Sequence, residues 1–217
     1  TRCGRCDEHC RFGAIREGEV DPWACEGCGV CARVCPEEAI RMSPRVAGRW
    51  FVSRTRCGPL VHAQLGVAEE NSGKLVSLVR QKAREVAERE GRELVIVDGP
   101  PGIGCPVIST LSGVDLVLAV AEPTPSGLHD LARLVGLARH FGIPLRVCLN
   151  KADLHGEARA RLLEYCRREG LPVVGEVPFD EGVTRALARG RAVVEEGDGP
   201  ACRAIRRIWE SLRGELR

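Results

Sequence analysis

Four cysteines fall within a dozen residues at Cys25-x2-Cys28-x2-Cys31-x3-Cys35-Pro36, and this spacing constrains the chain more than any other feature of it. Thiolates so close in sequence converge only from a tight loop, and Gly27 and Gly29 permit the turns between them. Three thiolates from one loop and a fourth from a distance are how a cubane iron-sulfur cluster is held. The competing reading is zinc, but a tetrahedral site made from paired C-x2-C motifs has no use for a third cysteine at this interval.

The run is half of an internal repeat. At an offset of 25, CGRCDEHCRFGAIR aligns with CGVCARVCPEEAIR, so Cys3, Cys6 and Cys10 match Cys28, Cys31 and Cys35. The partner of Cys25 would precede Thr1, and the expectation is that this ligand was cut off with an upstream segment. In two-cluster ferredoxins the last cysteine of each run serves the other cluster. On that pattern Cys10, Cys25, Cys28 and Cys31 hold one [4Fe-4S] cluster. Cys3, Cys6 and Cys35 hold a second that is short of one protein ligand. A disulfide framework is the alternative for twelve cysteines, but 217 residues with long apolar-periodic segments do not describe a small secreted domain. The expected setting is reducing and cytoplasmic.

Thirty-two basic and thirty acidic side chains leave a formal charge of +2, and no apolar run reaches membrane-spanning length. Neither nucleic acid nor a membrane span is indicated. The cysteines divide the chain, seven of the twelve lying before Pro36. The expected organisation is a ferredoxin-like α+β module over 1–43, a connecting segment over 44–72, and a core-bearing domain over 73–217. Within the connector, alternation over 49–54 and 61–65 predicts two strands joined at Cys57-Gly58-Pro59. From 73 onward a helix capped by Asn71 or Ser72 and stopped at Gly91 precedes the apolar run ELVIVD. VDLVLAVAE, PLRVCLN and PVVGEVPF then alternate with amphipathic helices. Such alternation predicts an α/β fold with a parallel sheet, whose ligands sit at the carboxyl ends of the strands.

Those strand ends carry the other candidate residues. Asp98 closes ELVIVD as an acid placed to organise magnesium beside a nucleoside triphosphate, and Gly99, Gly102 and Gly104 let backbone N–H groups approach a phosphate. A plain Gly/Pro turn is the alternative. Asn150 and Asp153 of NKAD read a base, unless Asp153 simply caps the next helix. Cys57, Cys148, Cys166 and Cys202 read as buried small hydrophobes, Cys105 stays open between the two roles, and His129 is expected to pack or cap.

DGPPGIGCPVIST, AEPTPSGLHDL, HFGIPLRVCLNKADL and GEVPFDEGVTRALARG, in this order, resemble the MinD/ParA/Mrp-type P-loop ATPases. More narrowly they resemble the subgroup with an inserted two-cluster ferredoxin, known as cobyrinic-acid-synthase-like or (4Fe-4S)-binding ATPases. The resemblance implies Mg-ATP as ligand of the full-length protein, a homodimer, and a redox partner or iron-sulfur acceptor. It also implies a Walker-A loop before the ferredoxin insert, and this chain contains no G-x4-G-K-[ST]. NSGKL at 71–75 does not qualify, because Leu75 stands where magnesium needs Ser or Thr, so Lys74 reads as a helix-start residue. The nucleotide domain is therefore expected to lack its N-terminal β-P-loop-α part and to be inactive alone. Three functions follow from the resemblance. They are an ATPase coupled to cluster chemistry, a ferredoxin-like electron carrier with a docking domain, and an Mrp-like cluster carrier or scaffold. GTP is the alternative nucleotide.

Overall fold

The computed structural model describes residues 1–66, 69 and 71–216; residues 67, 68 and 70 of the connecting segment lie outside them. The chain forms two compact units, Thr1–Asn71 and Ser72–Arg217.

The first unit contains the short helices α1 (Arg5–Glu8) and α2 (Val30–Val34) with the two-residue strands β1 (Ile15–Arg16) and β2 (Glu19–Val20) between them. Strands β3 (Gly48–Thr55) and β4 (Gly58–Leu65) then form an antiparallel hairpin in register from Gly48↔Leu65 to Thr55↔Gly58. Arg56 and Cys57 make its turn, so Gly58 and Pro59 open β4 rather than belonging to the turn. Cys57 is exposed there, a correction to its reading as a buried hydrophobe, because a two-residue hairpin tip has nothing above it to bury a side chain.

The second unit begins with α3 (Gly73–Arg89), whose start is fixed by Ser72 accepting from the Leu75 N–H. There follow α4 (Cys105–Leu111), β5 (Val117–Ala121), α5 (Pro125–His140), β6 (Leu145–Asn150), α6 (Gly156–Arg168) and β7 (Val173–Val177). The chain closes with α7 (Glu181–Ala188), α8 (Val193–Glu196) and α9 (Pro200–Glu215). The sheet is parallel in the order β5-β6-β7. Alternation in β6 divides the interior. Leu145, Val147 and Leu149 join Leu131, Val135, Leu162 and Cys166 of α5 and α6 on one face. Cys148 joins Ala201, Ala204, Ile208 and Leu212 of α9 on the other. The helices α4 and α8 were not expected from the sequence, since a Gly/Pro-rich opening and a four-residue length conceal both.

The run over 93–98 makes no ladder with another strand among the described residues, although its apolar character predicts one. Leu94, Val95 and Ile96 are exposed, the last at 79%. The reason is geometric. A strand exists through its neighbours' N–H and C=O groups, and between this run and the β-edge formed by β5 lies a cavity of ≈ 1080 Å³ lined by both.

Gly175 of β7 fits tightly beneath α9, where an added Cβ would stand 2.4 Å from Cγ1 of the buried Ile208. Gly175→Ala is expected to lower stability by about 1–3 kcal/mol through overpacking. Urea unfolding would measure this, and adding Ile208→Val should recover part of the loss.

Candidate functional site

The offset-25 repeat is structural as well as sequential. Gly4 (φ 78°) and Gly29 (φ 74°) are the left-handed N-caps of α1 and α2. Arg2 (φ 51°) matches Gly27 (φ 64°), and Gly13 (φ 62°) matches Glu38 (φ 48°). Three left-handed positions per half thus fold each cysteine run into the same loop, and the strain of that region is accepted at two non-glycine residues. The backbone N–H of Ala14 donates to Cys10 Sγ at 3.3 Å, and that of Ala39 donates to Cys35 Sγ at 3.4 Å. Donors aimed at sulfur stabilise a thiolate, and in cluster sites they help set the potential.

The halves differ in charge. The Cys6 thiol donates to Asp7 Oδ1 at 3.2 Å, and this contact pushes its pKa up. Asp7 Oδ2 accepts from the Glu17 N–H at 2.6 Å. The matching position in the second half is Ala32. Cys3 is instead shifted down, chiefly by the Arg5 N–H.

All seven cysteines of the two loops are free thiols, exposed or half-buried. Among the described residues, no three His, Cys, Asp or Glu side chains converge where they could hold a single metal ion. Zinc requires that convergence. A cubane does not, because each thiolate binds a different iron and the sulfurs surround a volume. Thiolates from two matched loops, each loop with a backbone N–H aimed at a sulfur, are the donor chemistry that an iron-sulfur cluster takes.

In the second unit Asp98, Gly99 and Gly102 line the cavity beside β5 together with Glu122, Thr124, Ser126 and Gly127. Gly102 is left-handed at φ 89°, and Gly104 caps α4. Thr124 caps α5 by accepting from the Gly127 N–H at 2.9 Å, a Thr-Pro start that the sequence signals through Pro at the first helical position. Gly104, Asn150 and Asp153 are not part of the cavity wall. Asn150 ends β6, and Lys151 (φ 52°) pairs with Glu122 at 2.7 Å, joining the ends of β6 and β5. Asp153 caps no helix, because its Oδ1 accepts from the Phe179 N–H at 2.7 Å, and α6 starts at His155 without a side-chain cap. His129 is exposed on α5. Cys148, Cys166 and Cys202 are buried, and burial pushes the Cys148 and Cys166 thiols up, which keeps them unreactive. Cys105 is exposed.

Residues 19–41, which include Cys25, Cys28, Cys31 and Cys35, match the family model described as the 4Fe-4S binding domain. The fold resembles the MinD cell division protein of Aquifex aeolicus, with a TM-score of 0.56 and 20% identity over 75% of this chain and 68% of that one. It also resembles the Pyrococcus furiosus cell division ATPase MinD, with a TM-score of 0.53 and 17% identity over 69% and 60%. An uncharacterized protein of Methanocaldococcus jannaschii (MJ0578) is 32% identical over 213 residues, 98% of this chain and 71% of that protein. The chain belongs to the same family. It joins a 4Fe-4S binding domain to a MinD/ParA-like fold. A Pyrococcus furiosus relative named iron-sulfur cluster carrier protein is 28% identical over 139 residues, 58% of this chain. This chain spans about half of that relative, 46% of its length.

In this family member the segment after β7 is tied to α9 through one carboxylate. Asp180 accepts from the Gly182 N–H at 2.7 Å and the Ala201 N–H at 3.2 Å, and these donors hold its pKa below the usual carboxylate range. A depressed native pKa contributes stability above the unfolded-state pKa, and that contribution disappears as pH falls through the native value. Asp180→Ala should therefore unfold at lower urea than the parent at neutral pH. The difference should shrink as the pH is taken to about 3, below the ordinary carboxylate range.

Proposed function

We propose that this chain is the cluster-bearing part of a nucleotide-dependent iron-sulfur protein, in which Mg-ATP binding or hydrolysis is coupled to electron transfer or cluster delivery. The observation that carries the reading is the paired geometry of the cysteine loops, with three left-handed positions and one N–H···S bond matched between the halves. Cys10, Cys25, Cys28 and Cys31 are assigned to one [4Fe-4S] cluster and Cys3, Cys6 and Cys35 to a second. When bound, such clusters supply one-electron transfer or transferable iron and sulfide. The chain's own part is to hold the thiolates, aim the Ala14 and Ala39 donors at two of them, and place the Asp7 carboxylate beside Cys6 only.

At the strand ends, Asp98 is assigned to the magnesium shell, and Gly99, Gly102 and Gly104 to the phosphate side. Asn150 is assigned to the base. Asp153, whose Oδ1 accepts from the Phe179 N–H, is assigned with it, and the nucleotide proposed is ATP with GTP the alternative. The whole protein is proposed to act as a homodimer on a redox partner or acceptor protein. Cluster delivery is the second reading, favoured by the relative that bears the name of a cluster carrier. Against it, no C-x2-C occurs after Cys31 in these residues.

Two experiments test the proposal. After anaerobic reconstitution, Cys28→Ser should lose the more oxygen-resistant cluster and retain the labile one, read from iron and sulfide content and EPR. Two equally stable clusters in the parent would contradict the assignment of only three cysteines to the second site. In the full-length protein, Asp98→Asn should lower ATP turnover by about tenfold or more, since phosphoryl transfer depends on positioned magnesium charge. Parental turnover would reduce Asp98 to a strand-end acid, and displacement of bound ATP by GDP as readily as by ADP would overturn the base assignment.

A further inference from the structure

The first unit carries its charges in two blocks. Thr1 to Glu38 holds eight acidic side chains against five arginines, whereas Ala39 to Gly66 holds five arginines and neither Asp nor Glu. In the second block the β3–β4 hairpin is a ribbon of eight residues per strand, and among the described residues its backbone ladder takes in no third strand. A two-stranded ribbon buries little, and residues 44 to 52 are exposed throughout. Trp50, Val52 and Arg54 alternate onto one face of β3, opposite Ala63, Val61 and Pro59, with Trp50 42% and Val52 45% exposed. Arg49 and Phe51 lie on the other face, where Phe51 stacks on His62 and Ser53 Oγ is hydrogen-bonded to His62 Nε2 at 2.9 Å. Arg45 is paired with Glu69. Arg49 and Arg54, both exposed, make no ion pair among the described residues.

An exposed aromatic and aliphatic strip rimmed by unpaired guanidinium groups has the composition of a binding surface. Arg and Trp are the residues enriched at interface hot spots, and unopposed positive charge speeds encounter with a negative partner. We propose that the β3–β4 hairpin is a docking arm for an acidic protein that exchanges electrons or cluster with the cysteine loops of the same unit. The choice of occupant follows from charge. An acidic face with an apolar centre pairs with Arg54 while covering Trp50 and Val52, Arg49 on the other face adds to the same positive field, and the acidic cysteine-bearing block repels it, so the arm is where such a partner is held. What passes between the two rests on the cluster reading given above; the docking itself does not.

The test uses the reconstituted chain and an acidic flavodoxin as probe, with binding followed by isothermal titration at low and at physiological ionic strength. The expected result is saturable binding that weakens steeply with salt. Arg49→Ser with Arg54→Ser should lower affinity by roughly tenfold, and Val52→Thr should lower it less. Lys82→Ser, in the other unit, is the control and should bind as the parent does. The proposal is overturned if the probe fails to bind, if the arginine variant binds as tightly as the parent, or if anionic phosphatidylserine vesicles or single-stranded DNA bind the arm more tightly than the protein probe. Iron content and the visible absorption of each variant are recorded alongside. A chain that takes up no iron yet binds the probe through Arg49 and Arg54 would remove the cluster reading and leave the arm. Full iron uptake without arginine-dependent binding would do the reverse.

Discussion

The ladder on both sides of β6 is the interaction on which the second unit depends. Among the described strands β6 alone is paired on both sides, Leu145 to Leu149 with Val117 to Ala121 and Val147 to Asn150 with Val173 to Val177. It also sends side chains into both interiors, so α5, α6 and α9 are all oriented by it. Parallel strands buried on both faces read as near-continuous apolar runs, which is why Val147 to Leu149 is apolar throughout although its burial alternates in partners, while Arg146 before it pairs with Glu215. The candidate nucleotide residues inherit their positions from this ladder. Asn150 is the last residue of β6, and the Lys151–Glu122 pair ties its end to that of β5.

Where structure is set by local chemistry, the sequence was a sufficient guide. Ser72 before an amphipathic run, Thr124-Pro125 before another, and the alternation of Arg49 to Arg54 each name their element with little help from elsewhere. The cysteine loops were legible in spacing and in their glycines. The left-handed conformations of Arg2 and Glu38 were not, because nothing in those residue types favours φ above zero. The remaining differences arise from partners distant in sequence. Asp153 is 26 residues from the Phe179 N–H it serves, and a local reading makes it a helix cap. The run over 93–98 has the composition of a strand but not the neighbour, and composition cannot report a neighbour.

The pseudo-symmetry of the first unit gives the two cysteine loops one backbone and two electrostatic settings. Matching N–H···S bonds at Cys10 and Cys35 are a shared inheritance of the fold, while Asp7 against Ala32 is a difference written on top of it. Repetition fixes where sulfur stands; substitution within the repeat decides how much negative charge stands beside it. The same division of labour holds in the hairpin, where register fixes a ribbon and the absence of any acid from Ala39 to Gly66 makes the ribbon basic.

The uncovered run from Leu94 to Val97 has a material consequence. It is apolar, β-prone and free of proline and glycine, and the edge of β5 beside it carries the exposed Leu118 and Val120. These are the features of segments that stack into cross-β aggregates, and a net charge of only +2 gives little long-range repulsion between molecules. A concentrated sample of this chain is therefore expected to nucleate aggregates at this short stretch of backbone, and a detergent or co-solvent that coats the stretch should slow that without altering the folded core.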